Sequence, residues 1–247
     1  MIDQQIDIPT RDGRTTTFIT HPERGGPFPV IIFYMDAPAI REELRDMARR
    51  LGTSGYYVML PNLYYRSGVM EIGPVPPDPE APERKRMYAL MNSIDIPLVM
   101  EDTRALLAYA RTQAAARTDI VGTVGYCMSG RYAINATTHF PDSVKAAASI
   151  YGTHLVTDQP DSPHLAAEKT KAELYFACAE TDIYAPMDIL EKVKQAMTGA
   201  NAEVEIYPGT HHGFAFPKRP VYHRDAAERH WERLLALYRR NLAGPAV

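Results

Sequence analysis

The chain has 247 residues, 45% of them hydrophobic and 23% charged, with a formal net charge of −3. That is length enough for a substantial core, in an ordinary globular composition, without the positive excess that would hold nucleic acid or an anionic membrane surface. Two cysteines imply no disulfide framework, no apolar run reaches the length of a membrane span, and Met1-Ile-Asp-Gln-Gln-Ile6 lacks the basic and apolar regions of a signal peptide, so a cytoplasmic protein is expected.

Residues 2–20 alternate around Thr10-Arg-Asp-Gly13, which predicts a hairpin of Ile2–Ile8 and Arg14–Ile19. Pro22 to Pro29 is a Gly/Pro-rich loop. Val30-Ile-Ile-Phe-Tyr34 is a continuous apolar run suited to a strand buried on both faces. Leu44, Met47, Ala48 and Leu51 recur at helical spacing, giving an amphipathic helix over roughly 40–52. Gly55-Tyr-Tyr-Val-Met-Leu60 is the next buried strand. Strand, helix, strand in this order makes a parallel pair with a right-handed crossover.

The segment from Gly73 to Pro82 carries five prolines and is irregular, either a lid or rim or a solvated excursion. A helix follows over about 97–114, with Val99, Leu106, Leu107 and Ala110 on one stripe. Ile120-Val-Gly-Thr-Val124 reads as a buried strand, and a helix runs from Arg131 to Phe140. Strands are expected at Val144–Ile150, Glu173–Cys178 and Val204–Tyr207, and a helix over Pro186–Thr198. The last helix spans about 222–242, with Ala227, Trp231, Leu234, Leu235 and Tyr238 facing inward. Strand and helix alternate without a break in composition. The expectation is one domain over 1–247, of α/β class, with a mostly parallel sheet covered on both faces.

Chemistry in such sheets gathers at the carboxyl ends of the strands. Three candidates stand there. Cys127 lies in Gly125-Tyr-Cys-Met-Ser-Gly130, between a strand and a helix, the setting of a nucleophile elbow. Ser129 occupies the place where an elbow usually has glycine. Asp182 follows the strand containing Cys178, and His212 follows the strand ending at Tyr207. Nucleophile, acid, histidine is the chain order of an α/β-hydrolase triad. Cys178 reads as core.

Gly125-Tyr-Cys-Met-Ser-Gly130, Asp182 with Pro186 four residues on, and His212-Gly-Phe214 together resemble the dienelactone hydrolase family, a cysteine-dependent branch of the α/β-hydrolases. Length and element order fit as well, so the resemblance spans nearly the whole chain. It implies an α/β-hydrolase fold with an eight-stranded sheet flanked by helices, and hydrolysis of a small-molecule ester or lactone. His212 rather than His211 matches the family's base, since it directly precedes Gly-Phe. Cys127 would form an acyl-enzyme, His212 would move the proton, and Asp182 would hold the imidazole. Backbone N–H groups of Met128 and Ala37 would make the oxyanion hole. Asp36 stands where the family has a glutamate that assists the nucleophile, although it also reads as a helix N-cap.

The family also holds a substrate carboxylate with an arginine four residues after the histidine. Here that position is Phe216, an apolar surface, with Arg66, Arg84 and Arg86 as possible replacements in or near the Pro-rich segment. His211 beside His212 has no acid cluster with it, so no metal is expected, and no cofactor. A monomer or small homo-oligomer is expected. A thioesterase or acyltransferase on the same triad, or a non-catalytic binding protein of this fold, stays open.

Overall fold

The computed structural model describes residues 1–243. It contains one eight-stranded, mostly parallel sheet. The chain divides into two compact units, one reaching to Thr118 and one from Asp119 onward.

In the first unit the sheet order is β1 (Ile2–Thr10), β2 (Gly13–His21), β4 (Tyr57–Pro61), β3 (Phe28–Tyr34). β1 and β2 form the expected hairpin, with Thr10 paired to Gly13 across Arg11-Asp12. β3 and β4 run parallel and β3 is buried from Val30 onward, as its unbroken apolar run requires. Helix α1 (Glu42–Thr53) buries Leu44, Met47, Ala48 and Leu51 and carries Glu42 and Glu43 in its first turn, where the helix dipole favours acids. A helix without an apolar stripe, α2 (Pro82–Asn92), follows the Pro-rich segment; only Met87 and Leu90 of it are buried. Helix α3 (Ile96–Ala110) starts at Asp95, whose carboxylate accepts the Leu98 N–H at 2.9 Å. It stops four residues short of the expected end, because the amides of Thr112 and Gln113 turn back onto Tyr109 and Ala110.

The second unit carries β5 (Ala116–Tyr126), β6 (Val144–Ile150), β7 (Glu173–Thr181) and β8 (Ala202–His211), in that order and all parallel. Helices α4 (Gly130–His139) and α5 (Met187–Ala196) lie between these strands in the chain, and α6 (Arg224–Leu242) follows β8. A short 3-10 segment at Pro163–Glu168 was not expected. Helix α6 buries Ala227, Trp231, Leu234, Leu237 and Tyr238, whose hydroxyl donates to the Thr123 carbonyl at 2.8 Å. Leu235, expected inward, is only half-buried. Cys178 lies in the core beside Ile134, Phe176 and Leu190.

Candidate active site

The register of the second unit assembles the site. Tyr126 of β5 is opposite Ile150 of β6, which is opposite Ala177 of β7, and Thr181 of β7 is opposite His211 of β8. Residues that follow the strand ends therefore emerge on one edge of the sheet. Cys127 follows β5, Asp182 follows β7 and His212 follows β8.

Cys127 opens a 3-10 turn, Cys127–Ser129, that runs straight into α4. Its φ is +56°, the left-handed region that an L-residue enters at a cost of roughly 1–2 kcal/mol. The turn is this tight because the glycines on either side of it, Gly125 and Gly130, carry no Cβ. A Cβ on Gly125 would collide with the Ser129 carbonyl, and one on Gly130 would collide with the Ser149 hydroxyl and the Gly152 Cα. Ser129 fits with its own Cβ, fully buried. The loop after β6 clamps the elbow, since Thr153 donates its N–H to the Cys127 carbonyl at 3.1 Å. Tyr151 in that loop also has positive φ, +36°.

Asp182 is buried and points both oxygens inward to the loop. One accepts the Tyr184 N–H at 2.9 Å, closing an Asx turn, and the other lies 2.7 Å from His212 Nδ1. With Nδ1 bound to a carboxylate, the imidazole presents Nε2 on its other side. Burial opposes charging of His212, but the Cys127 charge and the Asp182 carboxylate overcome it and push its pKa up to about 10. Cys127 and Asp182 thus both act on the imidazole, whose Nε2 is buried.

The imidazole contacts two aromatic rings. Tyr151 lies 5.1 Å away and Tyr184 4.9 Å away, both in T-shaped contact. Neither residue was among the sequence candidates. Tyrosines are uncharged at neutral pH, and although Tyr151 directly follows β6, nothing in the local sequence ties either ring to His212. His211 points away to solvent, as the last residue of β8.

The remaining candidates are placed as follows. Met128 is fully buried in the elbow turn. Phe216 is fully buried as well, packed on Tyr126 and Tyr151, with the Arg219 guanidinium 4.7 Å over its ring. In the first unit, Asp36 is not an N-cap, because α1 begins six residues later and its cap, Arg41, makes no side-chain cap bond. The Asp36 carboxylate is fully buried and takes both Arg41 guanidinium nitrogens, at 2.6 and 3.2 Å. Burial opposes the charge on Arg41, and Asp36 restores and raises it. The same turn holds Ala37, whose carbonyl accepts the Tyr64 hydroxyl at 3.0 Å. Arg66 is engaged by Asp102 and Asp12, and Arg84 donates to the Pro76 carbonyl, while Arg86 is exposed on α2. No group of three or more His, Cys, Asp or Glu among the described residues is placed to hold a metal.

The dienelactone hydrolase family model matches residues 15–242, across both compact units. The chain belongs to the dienelactone hydrolase family. Relatives named "Putative carboxymethylenebutenolidase" are 28% identical over 97% of this chain and 81% of the protein from Methylorubrum extorquens, and 27% identical over 96% of both chains for that of Synechocystis sp.. The crystal structure titled as a "Putative Dienelactone Hydrolase" from Klebsiella pneumoniae superposes with a TM-score of 0.85 at 26% identity, covering 96% of this chain and 98% of that one. The fold is accordingly the α/β-hydrolase fold of this family, and the chain is a hydrolase of the carboxylic ester class. No helix among the described residues is long and apolar enough to cross a membrane.

Proposed function

We propose that the chain hydrolyses small neutral esters and lactones through an acyl-cysteine intermediate on Cys127, His212 and Asp182. One observation carries the reading: Cys127 at the strained elbow and an imidazole held by a buried carboxylate both follow strand ends on one edge of the sheet. In this mechanism the Cys127 sulfur attacks the carbonyl carbon as a thiolate, with His212 carrying the proton. The tetrahedral intermediate collapses by breaking the carbon–alkoxide bond, and His212 Nε2 protonates the departing alkoxide. Water then attacks the thioester, giving its proton to His212, and the acid leaves as the thiolate–imidazolium pair re-forms. Asp182 keeps Nε2 turned toward sulfur throughout.

The proposed oxyanion donors are the N–H groups of Met128 and Ala37. Asp36 supports the second by holding its turn through Arg41 and through the bond from Ala39 N–H to its own carbonyl, 3.1 Å. The substrate reading follows Phe216. A carboxylate-bearing lactone would lose a charge-assisted contact, normally about 1.5–3 kcal/mol, where the family has arginine and this chain has a buried ring.

The test is turnover of p-nitrophenyl acetate by the wild-type chain, by the iodoacetamide-treated chain and by Cys127→Ala. Turnover is expected only in the first. Full activity in Cys127→Ala would remove the cysteine mechanism and leave Ser129 as the nucleophile to examine.

A further inference from the structure

Four large hydrophobic residues are conspicuously exposed among the described residues, and three of them fall within five positions: Ile183 at 83%, Tyr184 at 40% and Met187 at 41%. They follow directly on Asp182. Scattered single exposures of this kind are normal, but a cluster in one loop beside a reaction site is not neutral. The loop is also held in place. Asp182 accepts the Tyr184 N–H, and the first turn of α5 begins at Met187, right after Pro186. The Tyr184 ring makes T-shaped contact with His212, centroids 4.9 Å apart. Tyr184 therefore links this exposed apolar stretch of chain to the imidazole.

Which half of an ester meets this surface follows from chemistry, on the function proposed above. The acyl half stays on Cys127 when the ester bond breaks. The alcohol half must depart past the group that protonates it, which is His212. A surface anchored on His212 flanks the leaving alcohol.

We infer that Ile183, Tyr184 and Met187 form the alcohol-side specificity surface, and that the preferred substrates are esters of apolar alcohols or lactones with an apolar ring substituent on the alkoxy carbon. Desolvating one methylene against such a surface raises kcat/KM by about two- to fourfold.

The experiment compares two series on wild type, Ile183→Ser and Tyr184→Ser. One lengthens the alcohol of an acetate ester from methyl to hexyl; the other lengthens the acyl group of a methyl ester over the same range. Wild type should show a rising alcohol series, and Ile183→Ser should flatten it by about tenfold in the hexyl-to-methyl ratio while the acyl slope persists. Ile183 is largely exposed, so its replacement leaves the fold intact. A flat wild-type alcohol series, an unchanged ratio in both variants, or loss confined to the acyl series would each overturn the assignment. So would a change only in oligomeric state, which would make the patch a contact between copies. Binding of 1-hexanol, followed by NMR, reads the surface without turnover. Absence of ester turnover with intact, Ile183-dependent hexanol binding rejects the acyl-cysteine reading and keeps the surface; turnover with no hexanol binding does the reverse.

Discussion

Thr181 and His211 are opposite one another in the parallel register of β7 and β8, and the next residue of each strand, Asp182 and His212, completes a 2.7 Å contact. The carboxylate is placed by the strand pair rather than by a flexible loop. Replacing it with an amide keeps the shape and removes the charge that holds the imidazole tautomer. Asp182→Asn should lower kcat by about 10³- to 10⁴-fold, and combining it with Cys127→Ala should cost nothing further, because the members act as a unit. Steady-state kinetics on the two single variants and the double variant check this.

The two cysteines should behave as different chemical species. Burial, and secondarily the Asp182 charge, pushes the Cys178 thiol up to about 12. At neutral pH, iodoacetamide should modify Cys127 and leave Cys178 untouched, as intact-mass spectrometry would show. Cys178→Ala should retain activity and lose about 0.5–1.5 kcal/mol of stability, the cost of deleting one buried heavy atom.

His212 carries a pH signature. Its folded pKa is raised above the unfolded value of 6.5 to about 10. The stability it contributes is therefore complete below about 6.5 and disappears as pH rises through about 10. Thermal melts of wild type against His212→Asn should converge over that window. kcat/KM should decline as pH passes about 10, since the imidazolium that protonates the alkoxide is lost. In Cys127→Ala the largest raising charge is gone, and the His212 titration followed by NMR should move to lower pH.

Asp36 gives a larger effect than a lost helix cap would. Asp36→Ala leaves the Arg41 guanidinium short of its buried partner, with Glu43 at 3.0 Å as the remaining acid. The expected loss is about 3 kcal/mol, against about 1 kcal/mol for a cap. Urea unfolding measures it, and an Asp36→Ala/Arg41→Ala pair should lose less than the sum of the singles. The rate of Cys127 alkylation should stay unchanged; a slower rate would mean that the Asp36 charge acts on the thiol itself.

A carboxylated lactone should be a poorer substrate than its neutral methyl ester. A preference for the acid of tenfold or more in kcat/KM, about 1.4 kcal/mol, would reverse the reading. Arg219, seated over the Phe216 ring and against Gly213, is then the anchor to replace by glutamine.

Strand β6 was legible to the residue, because Val144 to Ile150 is apolar or small except at Lys145 and is bounded by turns. The triad candidates were legible because each follows a strand, and parallel strands deliver such residues to one edge. Helix α2 was not, since two buried side chains make no stripe and the prolines before it mask its start. The Asp36–Arg41 pair was missed for a different reason: an irregular turn brings the two together, and no helical or strand period announces it. Tyr151 and Tyr184 meet His212 only through the fold. Contacts between side chains on separate strands' loops leave no local pattern in the chain.

The left-handed backbone at Cys127 separates two kinds of selection. Glycine at 127 would relieve roughly 1–2 kcal/mol of conformational strain and forfeit about 0.5–1 kcal/mol in unfolded-chain entropy. On backbone terms alone, the fold does not need the reactive sulfur. A directed-evolution campaign scored on heat resistance alone would drift freely toward an inert chain at this codon, so every round of it needs an activity gate.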